Sequence, residues 1–548
     1  MLKIKKFLFI FGCSLALLMG CSNGNETVES SNGNETDETK KEIKIQNDNN
    51  YKGIFVVKYN YSDNFLPAKE TGNFIVKRNN VSNNVLSSNI SQMNNDYIKD
   101  FTINGKSINL KDCFINDTSK IDEACSELFN NVVKNTSRSV ENTSIPVNSI
   151  KPESYEIGEK KYFYVLTSVT DVKSEQKEAT LKACNDVCNV WFVDDCETVN
   201  FTDDSIFENV AEKFKIIYEP EIEIMGDHKY SKKYGSYFID PSKKINIIIY
   251  DIDYDSAPEQ KGGVFGLFYG ADMYTAEALN QNPHQQKTNE TQCIYLDSFF
   301  LSKDPKQVYS TLAHEFNHLL TFCNKTVSYG KNPETWFKEM LSMITEDMLQ
   351  NLLDIEDVSS PKGRLPYFCQ YYNYGFLDSW NRNKVDDPLI DTLINYANTY
   401  AYGAYLVRNC GGFDFLKRLA TSEYINQAAI DDAISFCNDS NEDISNFKSS
   451  IEFFPEIILD VYFNNWKHSS LNKKIFYENN NNVYFDAIKL IYSDSNNNTY
   501  RPNIYKIDYQ LDLGVQSFSI HHVEDYESII FEYNENNNMD LSAVAYYN

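Results

Sequence analysis

Positive charge is scarce in this chain of 548 residues, which carries 51 Lys and Arg against 78 Asp and Glu. The net charge is −27 and the pI is near 4.7. Such a balance argues against a surface that binds nucleic acid or anionic lipid headgroups, because those surfaces need clustered cations. We therefore expect no nucleic-acid partner, while the sequence leaves the oligomeric state open.

Long apolar runs are lacking after residue 21, so no later segment is predicted to span a membrane. Residues 1–20 combine three lysines with an apolar run that is shorter than the roughly 20 residues of a transmembrane helix, which is typical of an export signal. The closing residues Leu-Met-Gly-Cys resemble a bacterial lipoprotein signal. By that resemblance Cys21 is lipidated, and the protein is held outside the cytoplasm on a bacterial membrane, at the outer membrane or cell surface.

Cysteine is not rare, with 12 residues in the chain. Removing Cys13 with the signal and assigning Cys21 to lipid leaves ten. An even number of cysteines in an exported chain permits disulfides, although their pairing cannot be deduced from spacing.

Changes in composition divide the chain into five stretches. After the predicted signal peptide at 1–20, residues 21–50 are polar and repetitive, which predicts a disordered tether. Short runs of β-branched and aromatic residues predict an N-terminal β-rich domain over 51–200. Helical spacing then dominates a third predicted domain at 201–470, which carries the histidine motif described next, and alternation predicts a C-terminal β-rich domain at 471–548. The predicted fold class is multidomain α+β.

Histidine is rare, with only 7 residues. The motif His314-Glu315-x-x-His318 therefore has a probability of roughly a per cent or less of arising by chance. Asp304 as N-cap and Pro305 at the first helical position predict that the motif lies on a helix. Both imidazoles then face the same way and can bind one zinc ion, with Glu315 beside them as general base for a zinc-activated water. The alternative is an ordinary amphipathic helix.

A catalytic zinc needs a third protein ligand. Thr321 and Asn324 occupy the positions where a metzincin has Gly and a third His, so that class is excluded. A Glu from the following helix is the remaining common solution. Glu339 lies 21 positions after the motif, among apolar residues. Glu346 lies two turns later on the same face, as a hydrogen-bond partner of a zinc-bound His or as the ligand itself, whereas Glu334 suits a surface position in the first turn.

Two further features concern the surroundings of this site. Asp251, Asp253 and Asp255 alternate after a predicted strand and make calcium a possible second ion, although the Gly and distal Glu of a helix-loop-helix calcium site are missing. An edge strand that pairs with the substrate backbone is predicted at 264–269, in preference to 293–297.

The motif-bearing segments resemble the hyicolysin-type zinc metallopeptidases of the gluzincin group. The resemblance covers roughly residues 200–440 and rests on four segments, Tyr295 to Asp297, Leu312 to His318, Trp336 to Ser342 together with Glu346 and Asp347, and Tyr402 to Arg408. It implies a thermolysin-like zincin domain with a β-rich upper lobe and a helical lower lobe, peptide-bond hydrolysis, and one zinc ion. It also implies that His314, His318 and Glu339 are the ligands and that Glu315 is the general base.

Two more residues enter through this resemblance. Tyr402, from the downstream match, is the candidate donor to the tetrahedral oxyanion. Met340 stands where many relatives have Gly, so a bulky side chain beside the third ligand is expected to narrow the cleft and alter the substrate range.

The predicted function is zinc-dependent endopeptidase activity on protein or peptide substrates. An aminopeptidase would use the same zinc site, but the chain has no Gly-x-Met-Glu-Asn segment to capture a free substrate amine. A non-catalytic surface adhesin on a protease-like fold would be expected to have lost the general base, and Glu315 is present.

Overall fold

The computed structural model describes most of the chain from residue 40 onward. The described residues are 40–78, 100–103, 106–109, 118–134, 142–144, 155–196, 199, 201, 203–257, 263–280, 286–376, 388–437, 444–462, 470–493 and 499–547. The predicted signal at 1–20, the lipidation site Cys21 and most of the predicted tether lie outside them. Within them the protein is multidomain and mixes helices with several sheets.

Within the described ranges, the strands belong to six sheets. In chain order they are β1 (Lys40–Gln46), β2 (Gly53–Asn60), β3 (Asn73–Arg78), β4 (Asp100–Ile103), β5 (Lys106–Asn109), β6 (Asn142–Ser144), β7 (Lys160–Ser168), β8 (Lys173–Cys184), β9 (Cys188–Val193), β10 (Lys232–Tyr234), β11 (Ile245–Tyr250), β12 (Gly266–Leu267), β13 (Cys293–Asp297), β14 (Ile475–Tyr477), β15 (Asn480–Phe485), β16 (Tyr492–Ser493), β17 (Thr499–Tyr500), β18 (Tyr505–Lys506), β19 (Ser517–Glu524), β20 (Tyr526–Asn534) and β21 (Met539–Tyr546).

The α-helices lie mainly between β13 and β14. In chain order they are α1 (Ser119–Phe129), α2 (Ser205–Met225), α3 (Ala276–Leu279), α4 (Ser298–Lys303), α5 (Pro305–Thr321), α6 (Thr335–Leu349), α7 (Leu365–Tyr371), α8 (Pro388–Asn409), α9 (Gly412–Thr421), α10 (Asn426–Cys437), α11 (Phe447–Phe453) and α12 (Glu456–Tyr462). Over the described ranges, none of the helices combines the length and the apolar character needed to cross a membrane.

A six-stranded sheet supports the site, in the order β12-β13-β11-β9-β8-β7. Its centre is parallel, because β11 pairs in parallel with both β9 and β13. Every residue of β11 is buried, as expected for a parallel strand covered on both faces. The short strand β12 runs antiparallel to β13 at the edge, within the segment 264–269 that was predicted to supply an edge strand.

This sheet takes strands from both sides of residue 200, where the sequence predicted a domain boundary. β7, β8 and β9 come from the predicted N-terminal domain, and β11 to β13 come from the predicted peptidase domain. The difference arises because the partner of β9 is β11, about 50 residues away, and local alternation of residues does not reveal long-range partners.

Strands from the two ends of the chain also share sheets. One sheet has the order β1-β20-β3, and another has the order β18-β19-β2-β21. Together they enclose a hydrophobic core of their own, which includes Ile54, Ile529 and Phe531. The segments 51–200 and 471–548 therefore contribute to common sheets rather than to one sheet each. β1 lies within the predicted tether 21–50, so strand pairing begins at Lys40.

Helix α5 begins as its sequence predicts. The Asp304 side chain accepts a hydrogen bond from the backbone N–H of Gln307 at 3.2 Å, and Pro305 occupies the first turn. Phe316 on the apolar side of α5 packs against Phe214 and Tyr218 of α2, with ring centroids 4.9 Å and 5.7 Å away. This packing buries the motif-bearing helix between α2 and α6.

The cysteines of the described ranges include seven free thiols. They are Cys125, Cys184, Cys188, Cys196, Cys323, Cys369 and Cys410. Cys113 lies outside the described residues. These seven cysteines therefore form no disulfides, although the even number of cysteines in the sequence would permit them.

Candidate metal centre

Helices α5 and α6 bring three predicted ligands together. His314 and His318 lie one turn apart on α5, and Glu339 faces them from α6. Glu339 Oε2 is 3.1 Å from His314 Nε2, and Glu339 Oε1 is 3.4 Å from His318 Nε2. One donor atom from each residue lies within 4.8 Å of the others, which is a geometry that can hold a metal ion.

The Nδ1 atom of each histidine ring also has a hydrogen-bond partner, on the side of the ring away from Glu339. His314 Nδ1 lies 2.8 Å from Glu346 Oε1, and the Ser310 hydroxyl donates to Glu346 Oε2 at 2.7 Å. His318 Nδ1 lies 3.3 Å from the Ser342 hydroxyl. Both rings therefore present Nε2 to Glu339. Glu346 lies behind His314 and not among the three converging donor atoms.

Burial makes the charges of this cluster strongly interdependent. Burial lowers the pKa of His314, but the adjacent carboxylates of Glu339 and Glu346 outweigh that effect and raise the pKa well above its usual value. Burial likewise raises the pKa of Glu339, but the facing imidazoles of His318 and His314 lower it far below its usual value. The pocket therefore favours an ionised carboxylate opposite positive charge.

The donor set fits zinc. Two imidazole nitrogens and one carboxylate are the ligands that catalytic zinc sites use, with a further position open for water or substrate. The Glu339 Oε2 atom is buried and lacks a hydrogen-bond partner of acceptable geometry among the described residues, although His314 Nε2 is near. A cation between the three donors would satisfy that oxygen. Metal-bound histidines usually form a hydrogen bond through their other ring nitrogen, as both histidines do here at Nδ1.

Glu315 lies beside the cluster and is 1% exposed. Burial raises its pKa to about 7, against the opposing effect of nearby His318 and His314. The backbone N–H of Phe268, next to the edge strand β12, hydrogen-bonds the Glu315 carboxylate. A carboxylate with a pKa near neutrality is suited to accept a proton and to donate it again.

Comparison with known proteins agrees with this geometry. The peptidase M30 family matches residues 171–450, slightly more than half of the chain and all of the helices that build the cluster. The chain belongs to the peptidase M30 family. The metallopeptidase family that the sequence resembles is thereby confirmed, whereas the gluzincin assignment stays a prediction.

A curated relative agrees with the M30 match. The chain is 27% identical to neutral metalloprotease ShpI of Staphylococcus hyicus over 300 residues, which is 51% of this chain and 60% of that protein. The chain thus spans about 60% of the length of this relative.

The structure does not bring Tyr402 to the M30 metal centre, which corrects its predicted role as oxyanion donor. Tyr402 is fully buried, and its hydroxyl group hydrogen-bonds the Ser450 hydroxyl at 2.6 Å. Its ring stacks on Phe376 with centroids 4.1 Å apart. Tyr402 therefore belongs to the packing between α8 and α11. The sequence did not reveal this because many buried positions in the chain hold Tyr.

Met340 does not narrow the cleft in the expected way. It is fully buried, and its Cγ would lie 2.6 Å from a Cβ atom at Gly403 of α8. Met340 thus packs into the α6–α8 contact, where the absence of a side chain at residue 403 makes room for it. Glu339 and Met340 point to different sides of α6, because adjacent residues on a helix are about 100° apart.

The acidic residues after β11 do not form a second metal centre in the described ranges, where the three-residue cluster of His314, His318 and Glu339 is the group with ligand geometry. The Asp253 carboxylate accepts from the backbone N–H of Val169, and the Asp251 carboxylate accepts from the Ser256 hydroxyl. Each carboxylate thus has its own hydrogen-bond donor, and the structure does not support the predicted calcium ion.

Several supporting groups were missed by sequence reasoning. Ser310, Ser342 and the backbone N–H of Phe268 complete the cluster, and none belongs to a motif with recognisable spacing. Ser342 lies three residues after Glu339 on α6, which places it on the same helix face. That spacing is the one available signal, and it is weak because serine is common on helix surfaces.

Proposed function

We propose that the protein is a zinc-dependent endopeptidase of the gluzincin type. The observation that carries the proposal is the convergence of His314 Nε2, His318 Nε2 and the Glu339 carboxylate beside the buried Glu315. The six-stranded sheet on one side and helices α5 and α6 on the other support a thermolysin-like arrangement of the lobes. Zinc bound by the three ligands would polarise the scissile carbonyl and lower the pKa of a water molecule.

The roles of the protein groups follow from their contacts. Glu346 orients His314 and Ser342 orients His318, so that each Nε2 is directed to the metal. The Phe268 N–H holds the Glu315 carboxylate. Glu315 accepts the proton of the attacking water and passes it to the leaving amine, a transfer for which its pKa of about 7 is well placed.

The edge strand β12 provides a place for the substrate backbone. Among the strands that the structure describes, it pairs with β13 on one side and ends the six-stranded sheet on the other. A peptide that adds a strand there would lie next to Phe268 and therefore next to Glu315. An internal peptide bond can be reached in this way without capture of a free terminus, which favours endopeptidase over aminopeptidase activity.

The proposed location is outside the cytoplasm. It is supported by the signal-like residues 1–20 and by Cys21 at the end of a lipoprotein-like sequence. Mass spectrometry of the N-terminus of the mature protein tests this proposal, because a mature chain that still carries residues 1–20 contradicts it.

Zinc binding and hydrolysis should occur together in the chain from Ser22 onward. We expect about one zinc per chain by elemental analysis and cleavage of an unfolded protein such as casein at internal bonds. A chelator should abolish cleavage, and added zinc should restore it. Release of single residues from the N-terminus alone would instead indicate an aminopeptidase, and zinc-loaded protein without any cleavage would contradict a peptidase.

The Glu346→Gln substitution should weaken zinc binding about 10- to 100-fold, the usual effect of losing a partner behind a metal-bound histidine. Competition with a chromophoric chelator measures this affinity. Glu334→Gln is the matched control. Glu334 precedes the same helix, and its carboxylate accepts hydrogen bonds from the Trp336 and Asn426 side chains instead of contacting a histidine. Wild-type affinity in Glu346→Gln would contradict the assigned role.

A further inference from the structure

The two sheets built from the ends of the chain differ in what holds them. In the sheet β18-β19-β2-β21, here called the inner sheet, Phe55 and Val57 pack into the main hydrophobic core, whereas Ile54 and Val56 face the separate core between the two sheets. The sheet β1-β20-β3, here called the outer sheet, contributes Phe531 and other side chains to that separate core, and none of its described residues belongs to the main core. The separate core, here called the terminal core, is therefore the apolar contact that holds the outer sheet in place.

Two basic side chains lie inside the terminal core. Lys58 of β2 is 1% exposed, and His521 of β19 is 0% exposed. Lys58 pairs with Ser519, and His521 lies two residues further along β19, so both side chains point to the same face of the inner sheet. The Lys58 ammonium nitrogen lies 4.9 Å and 5.3 Å from the ring centroids of Phe74 and Phe531 in the outer sheet. Both bases therefore lie where the two sheets meet.

The hydrogen bonds of the two bases suit their neutral forms. Among the described residues, the Gly72 carbonyl accepts from Lys58 Nζ at 3.3 Å, which leaves further protons of an ammonium group without an acceptor. His521 Nδ1 donates to the Lys506 carbonyl at 3.2 Å, and its Nε2 lies 2.9 Å from the Ser519 hydroxyl. A neutral imidazole with one donor and one acceptor nitrogen satisfies both of these contacts.

No acidic group of the described ranges acts on the pKa of either base. Burial lowers the pKa of Lys58 to about 7. Burial also lowers the pKa of His521 to about 3, and the nearby Lys58 adds to this effect. Tyr505 faces His521 with ring centroids 5.9 Å apart, and burial raises its pKa, so it stays uncharged. The other side chains that face the two bases from the neighbouring strands also carry no charge; they are Val56, Ser519, Leu541, Phe74 and Phe531.

We propose that Lys58 and His521 form an acid-sensitive latch between the inner and outer sheets, which opens when both bases gain a proton. Two charges would then share an apolar core that supplies no anion, and they would also repel each other. Separation of the sheets gives both charges to water. The inner sheet keeps its contact with the main core, so the outer sheet moves away alone. The latch does not depend on the proposed peptidase activity.

The direction of the pH effect follows from the two shifts. The pKa of each base is lower in the closed latch than its ordinary value, 10.5 for Lys58 and 6.5 for His521. The stabilisation that neutral Lys58 contributes is therefore complete above pH 10.5 and is lost as the pH falls to about 7. The stabilisation from neutral His521 is complete above pH 6.5 and is lost as the pH falls to about 3. The closed latch thus weakens in two separate steps.

Amide hydrogen exchange of the chain from Ser22 onward measures the opening of each sheet separately. One proton taken up on opening lowers the protection factor about tenfold per pH unit between the two pKa values of a base. After correction for intrinsic exchange rates, we expect protection of residues 526–534 in the outer sheet to fall about tenfold from pH 8.5 to 7 and about 50-fold from pH 6.5 to 4.5. Residues 53–60 of the inner sheet should keep their protection.

Two variants separate the two steps. Lys58→Met replaces the amine with an apolar side chain of similar length and should remove the fall between pH 8.5 and 7. His521→Gln replaces the imidazole with a neutral group that does not titrate and should remove the fall between pH 6.5 and 4.5. Lys69→Met is the matched control, because the Lys69 side chain is 82% exposed, and this variant should retain both steps.

Each variant tests its own step, so the latch stays testable if one of them fails to fold. Wild-type falls in protection that persist in Lys58→Met or in His521→Gln remove that base from the latch and overturn the proposal. Equal loss of protection in the inner and outer sheets also overturns it, because the terminal core would then not open on its own.

Discussion

Peptide hydrolysis should fall at least about 1,000-fold in the Glu315→Gln variant, while zinc remains bound. The amide has the size of the carboxylate and can still accept the hydrogen bond from the Phe268 N–H, so the geometry of the pocket is preserved. What is lost is the proton acceptor, and positioned general bases contribute about 10²–10⁴-fold to rates. The imidazoles and Glu339 are unaltered, so the affinity for zinc should stay near that of wild type.

Two measurements on the same preparation decide this prediction. One is kcat on a quenched fluorescent peptide, and the other is zinc content after dialysis. Glu208→Gln is a suitable control, because Glu208 is an exposed glutamate in the first turn of α2 and its replacement should change neither quantity. Activity of Glu315→Gln within threefold of wild type would remove Glu315 from the mechanism.

The Glu339→Gln substitution should have the largest effect on metal binding. It removes the negative charge that faces both imidazoles and leaves two neutral ring nitrogens as ligands. Loss of a partner behind a ligand costs about 10- to 100-fold in affinity, so loss of the ligand itself should cost more than about 100-fold. Activity at low zinc should disappear with the metal.

Comparison of Glu339→Gln with Glu346→Gln separates the two candidates for the third ligand. Titration of each apo protein with zinc against a competing chelator yields both affinities under the same conditions. We expect Glu339→Gln to be the weaker binder by at least about tenfold. The reverse order would make Glu346 the ligand and would assign Glu339 to a supporting role.

The helix that carries the motif could be predicted in detail from its sequence. Asp304 and Pro305 mark its start, and the spacing of His314 and His318 fixes their common face, because these features depend on residues within a few turns of each other. The later helix with Glu339 followed from the same local rules. The observed helix runs from Thr335 to Leu349 and carries both Glu339 and Glu346.

The pairing of strands could not be predicted in this way. β2 near the N-terminus pairs with β19 and β21 near the C-terminus, more than 450 residues away. Alternation of apolar and polar residues indicates that a segment is a strand, but it contains no information on which distant strand completes the sheet. The boundaries predicted at residues 200 and 471 therefore divided the chain where composition changes and not where hydrogen bonds end.

The sequence by itself determined the chemistry of the centre, since the identity and helical spacing of His314, Glu315 and His318 are local properties of the chain. Only the tertiary structure decided which carboxylate faces both imidazoles, that Glu346 stands behind His314, and that Tyr402 belongs to the packing of α8. Those outcomes depend on how α5, α6 and α8 cross one another. Helix crossing is set by packing of side chains that are far apart in sequence, so no local pattern could have predicted it.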